Sequence, residues 1–467
     1  MARSASVKAP PERSPWHVAR TLPRFALGAL RHGLLPAGPA SARTLWREGW
    51  TELHWKVLGD GLVRLLRHSG PLFTKCGQIM ATRTDLLPAA LCARLESLYD
   101  EQPPMSAAEL ERALRRAYGR RHPFRRFYAK PIAVGSVGQV HRARLQGGEA
   151  AIVKLLRPGV EERITRDLEL ARSLLDLWLG APWRAGPAPR ALLIRALDDL
   201  GSACAREVDL AREARTLRDF AQRFERNPRV VVPRCFEALS SKHALVMEEL
   251  RGEPLSAYRR RAKRDPEAAR RIANLALEEI LRQIFEDGRF HADPHAGNLL
   301  ILEDGRLGLV DLGLTGELGQ DDRRRIARAV KAFVNRDADG LIQALLGFGA
   351  LPPDFDAKEF DADVRRLVRN RGTRLAARLR GRTGQREADG SNPLEDFVTA
   401  LFALADRHGI HVSASTTLLI KSLVTIEGVA RSLHPELDLA AAAVPVVLRS
   451  LAPRWMQRLM RVRSWRA

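Results

Sequence analysis

His291-Ala292-Asp293-Pro294-His295-Ala296-Gly297-Asn298, followed thirteen residues on by Asp311-Leu312-Gly313, is the stretch on which the fold of this chain turns. Between the two segments, Leu299 to Leu302 and Leu307 to Val310 flank Glu303-Asp304-Gly305. Two short apolar runs joined by an Asp-Gly turn predict a β-hairpin. A hairpin returns its two ends to one place, so Asp293, Asn298 and Asp311 are expected to converge. Phosphoryl transfer needs that set: one Asp to orient a hydroxyl or take its proton, an Asn as a neutral metal ligand, and a second Asp to hold Mg²⁺ against nucleotide phosphates. Hard oxygen ligands suit Mg²⁺, which keeps several waters and leans on substrate phosphate. A lone His-x-Asp is often a capping pair, and a lone Asp-Leu-Gly is often a turn. Both at this spacing around a hairpin mark a nucleotide phosphotransfer site. His295 reads as structural, with a metal-adjacent place as the alternative.

Working upstream, Lys154 closes the apolar run Ala151-Ile152-Val153, which suits a buried strand. A Lys at a strand end reaches nucleotide phosphates as a point charge, and it needs a carboxylate to hold it in place. Glu213, on a long helix expected over roughly Ala191 to Phe224, is the candidate. Ala133-Val134-Gly135-Ser136-Val137 precedes the strand, in a stretch from Ile132 to Val140 that reads as a loop. Small residues there let a backbone approach phosphates closely. Strands are expected at Val230 to Val232 and at Ala244 to Met247. Glu248, directly after the latter, is counted with the nucleotide-binding set. Val160 to Leu179 carries apolar residues at helical spacing.

The composition is compatible with this reading. The chain has 467 residues, is 45% apolar and 28% charged, and so has the means to bury a core. Lys plus Arg outnumber Asp plus Glu by 77 to 55, a net charge of +22. Such a surface attracts phosphates, anionic lipid or nucleic acid. An acidic secreted domain, a collagen-like chain and a disulfide scaffold are excluded. Cys76, Cys92, Cys204 and Cys235 are far apart without C-x-x-C spacing, so neither a zinc site nor a disulfide framework is expected. Charges interrupt every apolar stretch; Leu439 to Leu448 has ten residues and contains Pro445. A spanning helix needs about 20 residues, so none is expected, and the N-terminus lacks the apolar region of a signal peptide. Arg365 to Arg382 is rich in arginine, but no stacking aromatics or nucleic-acid motif accompany it, so nucleic acid is set aside.

The chain divides by character. Residues 1–44 are basic, with Trp16, Leu22 and Phe25 among arginines, and fit either a membrane-associating segment or a tail that docks on its own protein. Residues 45–130 read as a helical extension, 131–250 as a small mixed α/β lobe, and 251–450 as a mainly helical lobe. At 451–467, Trp455, Leu459 and Val462 share a helix face among arginines, which suits a membrane surface. The class is α+β, in two lobes.

These residues resemble the UbiB/AarF family of atypical, protein-kinase-like proteins linked to ubiquinone biosynthesis. Lys75-Cys76-Gly77-Gln78, with Arg83, Asp85, Leu86, Leu87 and Pro88 after it, resembles the family's K-x-G-Q extension. Ala133 to Ser136 falls where the family has an Ala-rich loop, although Val134 and Gly135 stand where Ala is usual. Glu207-Val208-Asp209, with Glu213, resembles the E-x-D helix. The resemblance implies a protein-kinase-like fold with the helical extension packed over the active site. It also implies that Lys75 and Gln78 point into that site, that Lys75 meets Glu207, and that Glu207 and Asp209 gate entry with them. ATP or ADP with Mg²⁺ is the implied cofactor, bound between the lobes. Implied partners are an anionic membrane surface, quinone-lipid intermediates and quinone-biosynthesis proteins, with a peripheral place on the cytoplasmic face of the inner membrane.

Two other readings stay open. A small-molecule kinase of the aminoglycoside or choline type also uses H-x-D-x-x-x-x-N, but lacks the Lys75 to Gln78 extension. A nucleotide-switched scaffold for a quinone-biosynthesis assembly would transfer nothing; the full set of Lys154, Asp293, Asn298 and Asp311 speaks against complete loss of chemistry.

Overall fold

The fold is taken from a computed structural model. It describes residues 52–81, 89–98, 103–179, 190–347 apart from 263, and 351–379 apart from 353 and 354. Towards the C-terminus it describes 404, 407–410, 414–435, 437, 445–447 and 449–450. The N-terminal segment, Arg83 to Pro88, the polar break at about 381–392 and the basic tail lie outside the described residues.

The chain forms two compact units, 1–214 with 235–248, and 215–234 with 249–467. The first begins with helices α1 (Glu52–Ser69), α2 (Pro71–Ala81) and α3 (Ala89–Leu95). Val63, Leu66, Ala81, Leu91, Leu95 and Leu98 bury a small core among them. Helix α4 (Ala107–Tyr118) follows. Ser106 caps its N-terminus and Glu109 returns the bond to the Ser106 backbone, a reciprocal capping box. The helix stops at Gly119, and β1 (Arg126–Val134) begins where the sequence reading still expected helix. Strands β2 (Gly138–Arg144) and β3 (Ala150–Leu156) complete a meander.

The expected loop from Ile132 to Val140 is therefore mostly strand. Only residues 135–137 turn. Pro131 lies inside β1, which is tolerated because β1 is the edge of the sheet and its register slips around that residue. Gly138 is required where β2 starts, since a Cβ there would stand 2.5 Å from the Leu155 carbonyl oxygen.

Helices α5 (Val160–Leu179), α6 (Arg190–Glu207) and α7 (Leu210–Phe224) follow. The single helix expected over Ala191 to Phe224 is broken at Val208-Asp209. Asp209 accepts the Arg212 backbone N–H at 3.1 Å and caps α7. The Leu210 N–H donates to the Lys242 carbonyl at 3.2 Å, so the chain is turned aside there. The chain enters the second unit after Ala214 and, past β4 (Val230–Val231), returns to the first for β5 (Ala244–Glu248). The sheet order is β1-β2-β3-β5, antiparallel throughout. Side chains alternate across a strand: Ala151, Val153 and Leu155 join Ala143, Ala244 and Val246 in a core with Leu110, Ala113 and Phe124. Lys154 falls on the other face.

The second unit continues with β6 (Gly252–Pro254), α8 (Leu255–Ala262) and α9 (Pro266–Arg282). Asp265 caps α9 and Pro266 opens it. The helix widens into a π turn over Gln283–Asp287 and stops at Gly288, whose φ is 75°. A Cβ there would lie 2.8 Å from the Leu318 carbonyl oxygen. Strands β7 (Arg289–His291), β8 (Leu299–Leu302), β9 (Leu307–Leu309) and β10 (Thr315–Glu317) come next. β8 and β9 form the expected hairpin, in a sheet ordered β4-β9-β8-β6, and β7 pairs with β10. Helices α10 (Gln320–Val334), α11 (Ala338–Leu346) and α12 (Ala357–Leu379) enclose Leu341, Phe360 and Val364. Helix α13 (Ala414–Leu433) packs along α9. Among the described residues no helix is long and apolar enough to cross a membrane.

Candidate functional site

In the first unit, β3 and α7 bring Lys154 and Glu213 together. The Lys154 Nζ donates to both carboxylate oxygens of Glu213 at 2.9 Å, with the two side chains 15% and 6% exposed. The loop of residues 135–137 is a tight turn. The Gly135 N–H donates to the Gly138 carbonyl at 2.8 Å. The Arg157 guanidinium braces the turn, donating to the Gly135 carbonyl at 3.1 Å and to the Pro103 carbonyl at 2.6 Å. Ala133 and Val134 end β1 rather than lying in the turn. Glu248 is the exposed last residue of β5, where the chain leaves this unit.

The extension meets the E-x-D residues within the same unit. The Lys75 ammonium is ion-paired with Glu207, the last residue of α6. Helix α2 packs on α5 and α6, which sets that pair. The Gln78 amide donates to the Leu98 carbonyl at 3.1 Å, a bond within the extension itself. Asp209 is the α7 cap described above, so Glu207 and Asp209 sit on opposite sides of a helix break rather than on one helix.

In the second unit, two loops are stitched by backbone bonds. The Ala292 N–H donates to the Leu314 carbonyl at 3.0 Å, and the Val310 N–H to the Asn298 carbonyl at 2.9 Å. Asp293 and Asn298 are thereby held beside the segment that carries Asp311. The Asn298 Nδ2 donates to the Asp293 carbonyl at 3.2 Å, and the residue is buried. Asp311 is exposed and has a φ of 54°, the left-handed region that costs a non-glycine residue energy. Its carboxylate accepts the Gly313 N–H at 3.3 Å. His295 serves the turn, its Nδ1 accepting the Gly297 N–H at 3.1 Å.

His291 anchors this loop from within. Its backbone N–H donates to Gln283 Oε1 at 3.0 Å, and its Nδ1 accepts the Asp293 N–H at 3.3 Å. Burial pushes its imidazole down to about 4, against the opposing pull of Asp293 and Asp311. The ring is therefore neutral at pH 7. Below its ordinary value of 6.5, the unfolded chain binds a proton that the folded chain refuses. The His291 contribution to stability is thus whole above pH 6.5 and is lost as pH falls to 4, by up to about 3 kcal/mol. Urea denaturation across that window is expected to show the fall in wild type and its absence in His291→Gln; equal slopes would refute this.

Two residues escaped the sequence reading. Lys421 on α13 is ion-paired with Asp293, Nζ to Oδ2 at 3.0 Å. Its neighbour Ser422 is buried and donates to the His291 carbonyl at 2.7 Å, across 131 residues of chain. No local motif signals either.

Residues 97–345 match the ABC1 atypical kinase-like domain, and residues 394–438 the UbiB helical domain. A probable protein kinase UbiB from Marinobacter nauticus is 32% identical over 398 residues, 83% of this chain and 69% of the relative. Another, from Pseudomonas entomophila, is 32% identical over 461 residues, 95% and 80% of the two chains. The solved structure of Rv3197 with erythromycin from Mycobacterium tuberculosis has a similar fold, with a TM-score of 0.52, 19% identity, and coverage of 89% of this chain and 92% of that one. The mixed α/β fold agrees with these matches, and the chain belongs to the UbiB family of ABC1 atypical kinase-like proteins.

Proposed function

We propose that this chain is an atypical, kinase-like, ATP-dependent phosphotransferase or ATPase that supports quinone-lipid biosynthesis at a membrane surface. The observation that carries the reading is the buried Lys154–Glu213 pair. Taking two charges out of water costs several kcal/mol per ion, and apolar residues of similar volume would stabilise a sheet as well. A fixed ammonium on the face of the sheet opposite that core serves an anionic ligand, and ATP phosphates suit it.

The donor set of the second unit fits Mg²⁺. Asp311 offers an exposed carboxylate, and the amide nitrogen of Asn298 is committed to Asp293, which leaves Oδ1 as the atom for a cation. Two protein oxygens completed by water and phosphate are an ordinary Mg²⁺ environment. When bound, the ion supplies charge neutralisation at the phosphates. Lys154, oriented by Glu213, contacts those phosphates. Asp293 orients the acceptor, water or a hydroxyl, and takes its proton. Residues 135–137 lie against the nucleotide with Glu248, and the Lys75–Glu207 pair gates entry. The net charge of +22 favours an anionic lipid surface as the working location.

Phosphate release from Mg·ATP tests the reading, with and without anionic liposomes, in wild type and Asp311→Asn. Release stimulated by liposomes and lost in the variant is expected. Release at the wild-type rate in Asp311→Asn would refute the assignment. Mg·ATP binding with no release in either protein would favour the scaffold reading.

A further inference from the structure

We propose that Lys421, delivered from helix α13, is the residue that positions the Asp293 carboxylate for phosphoryl transfer. The inference rests on the phosphotransfer reading given above. His291 to Asn298 contains no Lys or Arg, and among the described residues no donor within the loop bonds the Asp293 carboxylate. The loop's own bonds hold backbone: the Asp293 carbonyl receives the His295 N–H at 2.8 Å and the Asn298 amide at 3.2 Å. The carboxylate is held from elsewhere, by Lys421 at 3.0 Å.

Helix α13 is well placed to do this reproducibly. Leu419, Ser422, Ile426 and Ala430 are buried on one face of it, and that face packs on α9. Ser422 is fully buried, and its hydroxyl grips the His291 carbonyl at 2.7 Å. Adjacent residues of one rigid helix thus hold the loop twice, the backbone through Ser422 and the reacting side chain through Lys421. A surface ion pair between two long, mobile side chains carries little energy. Here the carboxylate belongs to a short side chain on an anchored loop, and the ammonium rises from a packed helix. The pair therefore fixes direction more than it adds stability. Lys421 is 40% exposed, and an ammonium has three donors, so one can hold Asp293 while the acceptor oxygen approaches.

In the transfer itself, the acceptor oxygen bonds to the γ-phosphorus of ATP. The bond from that phosphorus to the bridging oxygen breaks, and its electron pair leaves with ADP. The acceptor's proton passes to the Asp293 carboxylate. Lys421 keeps its own proton throughout and acts only by keeping Asp293 aimed.

The test measures steady-state ATP hydrolysis by full-length Lys421→Met, Lys421→Arg, Asp293→Asn and the double variant Asp293→Asn with Lys421→Met. Lys421→Met is expected to lower kcat by about 10- to 100-fold while the KM for Mg·ATP stays within about twofold, in the range general-base orientation contributes. Lys421→Arg is expected to restore part of the loss. In the Asp293→Asn background, Lys421→Met should cost nothing more, because the group it aims is gone. A merely structural lysine would lower melting temperature and would cost the same in both backgrounds. An unchanged kcat in Lys421→Met, or an undiminished further loss in the Asp293→Asn background, overturns the proposal. So does wild-type protein that binds Mg·ATP through Asp311 yet turns nothing over, although nucleotide binding then stands. Mg·ATP binding indifferent to Asp311→Asn instead overturns the phosphotransfer reading, and this proposal with it.

Discussion

Asp311→Asn is expected to weaken Mg²⁺-dependent ATP binding by about 100-fold or more, about 2.7 kcal/mol, while the protein stays folded. The substitution keeps size and shape and removes the one carboxylate charge that the reading places on the metal. Mg²⁺ leans on such charge because it has few protein ligands. Nothing structural should be lost: Asp311 is exposed, and Asn adopts the left-handed conformation at φ 54° as readily as Asp does. Asp311→Gly separates function from strain. It should lose Mg·ATP binding equally, yet gain about 0.5–1 kcal/mol of stability, because glycine takes that conformation freely. Fluorescent-nucleotide titrations with and without Mg²⁺, paired with melting curves, read both effects. Unchanged Mg·ATP affinity in Asp311→Asn defeats the metal assignment, and a lower melting temperature in Asp311→Gly would show that the carboxylate's bond to the Gly313 N–H outweighs the relief at φ 54°.

What was legible in the sequence was local. The Asp-Gly turn between Leu302 and Leu307 specified its hairpin, and the helix from Val160 to Leu179 has the bounds its periodicity suggested. The strand bearing Lys154 runs on to Leu156, because Leu155 and Leu156 are buried as well. The misreadings came where a long-range interaction outweighed a local signal. The small residues from Ile132 to Val140 read as a loop, but an edge strand with shifted register takes them up, and has room for Pro131, which cannot donate. The helical pattern from Ala191 to Phe224 is real on both sides of Val208-Asp209. The break comes from a cap and a bond to Lys242, neither of which alters periodicity. The bond from the Gln78 amide to the Leu98 carbonyl is of the same kind, a contact between segments that no local pattern signals. Lys421 was out of reach because its partner lies on an element far away in the chain.

Glu279→Ala is expected to destabilise the second unit by about 3–5 kcal/mol, the range for stripping one partner from a buried ionic cluster. Glu279 is 1% exposed and lies near the end of α9. Arg229 is ion-paired with it and with Glu278, the latter at 2.9 Å. The Asn227 amide donates to Glu279 at 3.0 Å, and the buried Arg282 guanidinium lies 3.5 Å away. Removing the carboxylate leaves Arg229 and Arg282 facing each other's charge with less compensation, and it leaves Asn227 without its acceptor. The cluster joins the segment before β4 to the turn of α9 that runs into the π turn, β7 and His291, so its loss should reach the Asp293 loop. Glu279→Gln keeps the shape and one hydrogen-bonding oxygen and should cost less. Pairing Glu279→Leu with Arg229→Leu should recover much of the loss, because an apolar replacement removes the unpaired charge as well. Urea denaturation of the four proteins decides the matter: a cost below about 1 kcal/mol for Glu279→Ala would mean that water already solvates the cluster, and the Asp293 loop would then have to draw its rigidity from Ser422 and the backbone bonds alone.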